Sequence, residues 1–156
     1  MDFVKHLWNG NASLVFTYWV IAVIGNALFG ISDRIRIGST RIRLHGIDAP
    51  EAKQTCTANG KEWRCGWEAT NALANIVGRH WVTCSKRDVD RYGRVVAVCR
   101  AGPIDLNAWM VSEGWAVAYR RFSMDYVRDE QDAKAGRKGM WRGEFMIPWE
   151  WRRSNK

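Results

Sequence analysis

Three stretches of the chain carry side chains fit to work on a phosphate ester. Residues 43–51, RLHGIDAPE, set Arg43, Asp48 and Glu51 around an Asp-Ala-Pro turn, and DRYGR at 90–94 supplies a second arginine, Arg94. Each guanidinium is a planar fork that pairs two phosphate oxygens at once and offsets the charge gathering on them. A glutamate beside them can position or deprotonate an attacking water. The third stretch is Asp33, which stands just before the first of two alternating runs, while Asp48 stands just after the second. Antiparallel pairing of those runs brings both carboxylates to one end of a sheet. With a main-chain carbonyl and water they make a hard-oxygen site for Ca2+ or Mg2+. His6, His45 and His80 are scattered along the sequence, so no cluster of softer ligands competes. Plainer readings stand beside these. An aspartate two before a proline caps turns, and surface arginine–carboxylate pairs are common and worth little.

The elements that must hold these groups can be read from periodicity. Arg34-Ile35-Arg36-Ile37 and Arg41-Ile42-Arg43-Leu44 alternate around Gly38-Ser39-Thr40, which predicts a hairpin. Ile35, Ile37, Ile42 and Leu44 take its core face and the arginines the other, where a solvated surface is the plainer reading of Arg34 and Arg36. Ala69, Ala72, Leu73, Ile76 and Val77 recur at helical spacing, predicting a helix over 66–77 that Gly78 ends. WVTCS and RVVAVCR, joined by a charged stretch, predict a second hairpin that can set Cys84 against Cys99 within disulfide range. Cys56 and Cys65 would staple another loop; four buried free thiols are the alternative. None of the four has CxxC spacing, which makes zinc a poor explanation. Further helices fit 105–113, capped by Asp105, and 124–138, where Glu130 and Lys134 form an i, i+4 pair. The tail, IPWEWRRSNK, carries Trp149 and Trp151, read as packing against the body. This order predicts an α+β fold: a small antiparallel β-barrel with about three packed helices.

The formal charge of the 156-residue chain is +8, and all of it belongs to residues 33–156 because Asp2 and Lys5 cancel in the first 32. A basic domain attracts polyanions, chiefly nucleic acid or an anionic membrane surface. Residues 1–31 form an N-terminal apolar segment, nearly unbroken from 12 to 31. It is long enough for a membrane anchor, and Gly25-Asn26-Ala27 resembles a signal-peptide cleavage site; the length favours the anchor. The arginines that follow would by the positive-inside rule leave the domain in the cytoplasm. Disulfides would place it outside, in the cell envelope or secreted, and that is the expectation adopted.

IRLHGIDAPE, DRYGR, NAWMVSEGWAVAY and EQDAKAGRKGMW together resemble the staphylococcal-nuclease-like (thermonuclease) family over roughly residues 33–142. The resemblance implies a nuclease domain over 32–156 with an OB-fold barrel, cleaving DNA and RNA with Ca2+ as the ion and Mg2+ less favoured. It implies Arg43 and Arg94 on the scissile phosphate, Glu51 as the candidate general base, Asp33, Asp48 and the Ala49 carbonyl on the metal, and Tyr92 and Tyr119 on substrate. Two departures stand out. Where the family reads D-G-D-T, this chain has Ile31-Ser32-Asp33-Arg34, and an arginine beside the metal weakens its binding. The family's first barrel strand also falls where this chain has its apolar segment. Three functions compete: a metal-dependent nuclease acting on single-stranded DNA and RNA, a binding-only OB module, and an anchored domain whose basic face meets lipid or protein. A glutamate set among two arginines favours the first, and no protein partner is expected.

Overall fold

The computed structural model describes residues 15–18, 34–37, 39–78 and 80–155. Asp33 and most of the apolar segment lie outside them, and with them the anchor and signal readings and the short strand piece expected near 27–31; within the segment only Val15–Tyr18 is described, as a strand paired with residues 82–85. Strand β1 (Val15–Tyr18) is followed by β2 (Arg34–Ile37), β3 (Thr40–Leu44), β4 (Ile47–Asp48), β5 (Cys56–Ala58), β6 (Lys61–Trp63) and helix α1 (Cys65–Val77). Then come β7 (Val82–Val89), β8 (Val95–Ala101), β9 (Ile104–Asp105), α2 (Leu106–Ser112), β10 (Val117–Ala118), α3 (Val127–Ala135), a 3-10 turn (Gly139–Arg142) and α4 (Pro148–Ser154). This is an α+β fold. Among the described residues no helix is long and apolar enough to cross a membrane.

The main sheet runs β1-β7-β8-β3-β2, with β9 added on β8. The β2–β3 hairpin is as the alternation predicts: Ile35, Ile37, Ile42 and Leu44 are buried while Arg34, Arg36 and Arg41 are exposed. One pairing departs from the all-antiparallel expectation. β3 and β8 run parallel, Ile42 opposite Val95 and Leu44 opposite Ala97. The intervening chain, through β4, α1 and β7, returns β8 in the same direction as β3. Closure of the sheet into a barrel is not among the described pairings.

Both expected disulfides are present. Cys84 and Cys99 lie directly opposite in β7 and β8 and are bonded, with their Cα atoms 4.1 Å apart. Cys56 and Cys65 join β5 to the first residue of α1. Asn107 locks α2 to the parallel strands: its side chain accepts from the Cys99 N–H at 3.0 Å and donates to the His45 and Ala97 carbonyls.

The helical half departs from expectation in two places. α3 runs from Val127 to Ala135 rather than from 124 to 138; it ends early because the chain turns at Gly136 and Arg137 enters the left-handed region at φ 50°. That turn brings Gly139 against Gly114, where the Met140 N–H reaches the Gly114 carbonyl. The tail packs as expected but does so as a helix, started by Pro148 at its first turn, so the described residues hold four α-helices rather than three. Ile147 and Trp149 pack with Trp63, Trp141 and Phe145 on a small second core of Cys56, Cys65, Val117 and Met140.

Candidate active site

The turn between β7 and β8 is built around Asp90. Its Oδ1 accepts the backbone N–H of Tyr92 at 2.9 Å and of Arg94 at 3.0 Å, which closes the turn. Its Oδ2 takes Nε and Nη2 of Arg94 at 2.6 and 2.5 Å. Burial pushes the Asp90 carboxyl up, but the bonds from Arg94 and the backbone outweigh it and hold the group below the usual aspartate range. Asp90 therefore fixes the direction of Arg94, whose side chain is almost buried. Arg94 also lies 5.3 Å from the ring centre of the exposed Tyr92.

Asp48 is held from the other side. β4 pairs with β10, setting Asp48 opposite Val117. The buried Glu130 keeps β10 in place by accepting from Ala118 N–H, while also pairing with Arg120 and Lys134. Asp48 is completely buried, and a guanidinium from α4 covers it. Arg152 Nη2 lies 2.8 and 2.7 Å from the two Asp48 oxygens, and Nη1 lies 3.3 Å from Glu51 Oε1. Arg43 adds a longer contact to Asp48 at 3.4 Å. Burial pushes the Asp48 carboxyl above the usual range, and the hydrogen bond and charge of Arg152 and the charge of Arg43 offset this only in part. Burial works against the Arg152 charge too, yet the hydrogen bond and charge of Asp48, with Glu51, outweigh it and raise its pKa.

Glu51 sits on a loop with little freedom. Its carbonyl accepts from Gln54 N–H at 2.8 Å, and the Gln54 side chain donates to the Met146 carbonyl at 2.6 Å. A Cβ on Gly66 would lie 1.7 Å from the Glu51 oxygen, so only glycine lets the start of α1 approach this closely.

These pieces surround one cleft of about 590 Å3, lined by Arg34, Arg41, Arg43, Arg91, Arg94, Arg152 and Arg153 with Tyr92, Tyr119 and Trp149. No acid lines it among the described residues. A neighbouring hollow of about 710 Å3 shares Arg43, Arg94, Arg152, Tyr92 and Tyr119 and continues along residues 87–90 of β7 and its turn. Tyr119 stacks on Trp149, ring centres 5.1 Å apart and nearly parallel, and Arg43 lies 6.0 Å over the Tyr119 ring.

Of the residues singled out from sequence, Arg43, Arg94, Tyr92 and Tyr119 share the cleft. Asp48 and Glu51 join it through Arg152. Ala49 is buried beside Asp48, and Asp33 lies outside the described residues. As arranged, the described residues do not fit a divalent cation. Both Asp48 oxygens are taken by Arg152, and no group of three or more His, Cys, Asp or Glu converges. Asp90, Arg152 and Trp149 are functional candidates that the sequence reading did not single out. A signal for the last two exists: after Pro148, Trp149 and Arg152 are three apart and share one helix face.

A profile of the family described as "Staphylococcal nuclease homologue" matches residues 41–143. Similar curated proteins include the succinoglycan biosynthesis protein ExoI of Rhizobium meliloti, 36% identical over 78% of this chain and 66% of that protein. Protein ParB of Escherichia coli is 35% identical over 74% of this chain and 68% of its own length. A micrococcal nuclease of Shigella flexneri is 34% identical, over 74% and 70%. The chain thus spans about two thirds of the length of these relatives.

Proposed function

The chain belongs to the staphylococcal nuclease family of phosphodiester hydrolases, and on that premise we propose that it cleaves nucleic acid with little sequence preference. The observation that carries the reading is the meeting of Arg43 and Arg94 in one cleft with Asp48 and Glu51 tied to its wall by Arg152. Arg94, aimed by Asp90, and Arg43 bind the phosphoryl oxygens and stabilise charge developing there. Glu51, held by its loop, orients or deprotonates the attacking water. These groups address phosphate rather than base edges, which supports weak sequence preference. The exposed Tyr92 and the Tyr119–Trp149 stack offer faces to unpaired bases, which supports single-stranded DNA and RNA as substrates. Metal dependence comes with the family, and we take Ca2+ as the ion; no step is routed through it, because Arg152 covers Asp48. We read the main sheet as the wall of an OB-fold barrel. Two disulfides support an envelope or secreted location.

The test is cleavage of single-stranded DNA, duplex DNA and RNA by the full chain with Ca2+, Mg2+ or chelator. Cleavage is expected with metal only, falling about 10²–10³-fold in Glu51→Gln and Arg94→Ala. Undiminished cleavage in both variants overturns the assignment. The covered Asp48 favours one second reading, a binding-only module. Retention of labelled strands without cleavage under every condition would establish it.

A further inference from the structure

The cleft is longer than one phosphate requires. Arg43 and Arg94, the pair assigned to the scissile phosphate, line both the cleft of about 590 Å3 and the hollow beside it. Past that pair the two spaces diverge. The hollow runs on to Arg87 and Arg121 but has Asp88 and Asp90 in its wall. The cleft runs on to Arg41 and Arg153, and no acid lines it among the described residues. A second phosphate of a bound strand is better compensated on the cleft side, because a carboxylate in the wall repels it.

Both arginines are placed by elements that the fold fixes. Arg41 and Arg43 stand two apart on one face of β3, with Ile42 between them turned into the core. Two residues of strand advance about 7 Å, roughly twice the rise of ~3.4 Å per nucleotide in a stacked strand, which suits a single strand drawn out straight. Arg41 is exposed and gives one Nη2 contact to the Tyr92 carbonyl at 3.4 Å, which leaves the rest of its fork for a ligand. Arg153 comes from α4, beyond residue 143 where the family match ends. Trp149, Arg152 and Arg153 are spaced i, i+3, i+4 and share the helix face that lines the cleft. Trp149 stacks on Tyr119 and packs on the second core, and Arg152 is bonded to Asp48. α4 is thus pinned at two points, and the exposed Arg153 is carried by a fixed helix.

We propose that Arg41 and Arg153 form a second phosphate subsite, which takes the phosphate next to the scissile one in a single-stranded substrate. The inference rests on the nuclease reading of Arg43 and Arg94. It makes strand length a determinant of activity: a strand that reaches the subsite is bound more tightly and held in register, and one that stops short is not. Binding energy from this remote contact also serves the chemical step, by holding the scissile phosphate in place. Bonds nearest one end of a strand are then cut more slowly than those further in.

The experiment measures the binding of two thymidine oligonucleotides to the full chain in chelator, a dinucleotide with one phosphate and a trinucleotide with two. The wild type is expected to bind the trinucleotide about tenfold more tightly, the size of one charge-assisted hydrogen bond. Arg153→Gln and, separately, Arg41→Gln are expected to lose most of that gain. Arg121→Gln, in the lining of the neighbouring hollow, makes the same change in net charge and is expected to keep it. Equal affinities in the wild type, a gain that survives either cleft substitution, or an equal loss in Arg121→Gln overturns the proposal. With metal present, the ratio of kcat/KM between the two strands should follow the same pattern, and a ratio unchanged by Arg153→Gln overturns it too. A binding gain lost in Arg153→Gln, with no cleavage under any condition, would sink the nuclease reading and leave the subsite standing. Cleavage that falls in Glu51→Gln and Arg94→Ala, with no difference between the two strands, would do the reverse.

Discussion

Arg94 depends on a single carboxylate for its direction, because both Asp90 oxygens are committed to the turn and to the guanidinium. Asp90→Asn keeps the shape but removes the charge, so cleavage is expected to fall about tenfold while strand binding changes less. The same residue gives a pH signature. Its folded-state pKa lies below the ordinary 3.8, so it stabilises the fold above that value and loses the effect as pH falls through its lower folded pKa. The urea midpoint of the wild type should exceed that of Asp90→Asn at neutral pH, and the gap should close under pH 3.8. A constant gap across that range would count against the ion pair. A second residue, Gly66, acts through backbone alone. Gly66→Ala collides with the Glu51 carbonyl and should lower both Tm and cleavage, since relieving a 1.7 Å contact moves the Glu51 loop. At this scale Arg43, Glu51 and Arg94 could be singled out because their types suit phosphate chemistry, and the fold brings the two arginines into one cleft. Arg152 was not singled out, because its partner Asp48 lies 104 positions away and no local pattern links them.

Elements were most legible where one face is apolar and the period is clean. The β2–β3 hairpin and α1 follow the alternation and the helical spacing within a residue or two. Where packing rather than periodicity decides, the sequence said less: it pointed to the tail packing on the body but not to its being a helix. α3 stops early because Gly139 must meet the Gly114 carbonyl, and α4 forms because Ile147 and Trp149 find the second core. The parallel β3–β8 contact belongs to this class, and Asn107 is what makes it testable. Asn107→Leu strips the Cys99 N–H and the His45 carbonyl of the amide that bonds them, while the Ala97 carbonyl keeps the His45 N–H, a loss of about 2–4 kcal/mol. Calorimetric unfolding should show it as a clear drop in Tm. An unchanged Tm would mean that another group satisfies those atoms.

For the molecule as a whole, the +8 charge was visible in the sequence but its concentration was not. Arginines from β2, β3, the β7–β8 turn and α4 reach one cleft, which only the fold brings about. If about five of them touch phosphates, the affinity for single-stranded DNA should fall with salt with a log–log slope near −3.5, from roughly −0.7 per contact. Arg41→Gln or Arg153→Gln should each make the slope shallower by about one contact. A slope near zero would mean that the cleft does not bind the strand electrostatically. The Cys56–Cys65 bridge carries a consequence for the host cell. It ties the strand following the Glu51 loop to the residue beside Gly66, so on the proposed function a chain with both thiols reduced is expected to hold Glu51 less firmly. Such a chain is expected to cleave nucleic acid more slowly than the oxidised form, which would keep the activity low until the bridge closes. Reduced and alkylated protein that digests DNA as fast as the oxidised form would remove this safeguard from consideration.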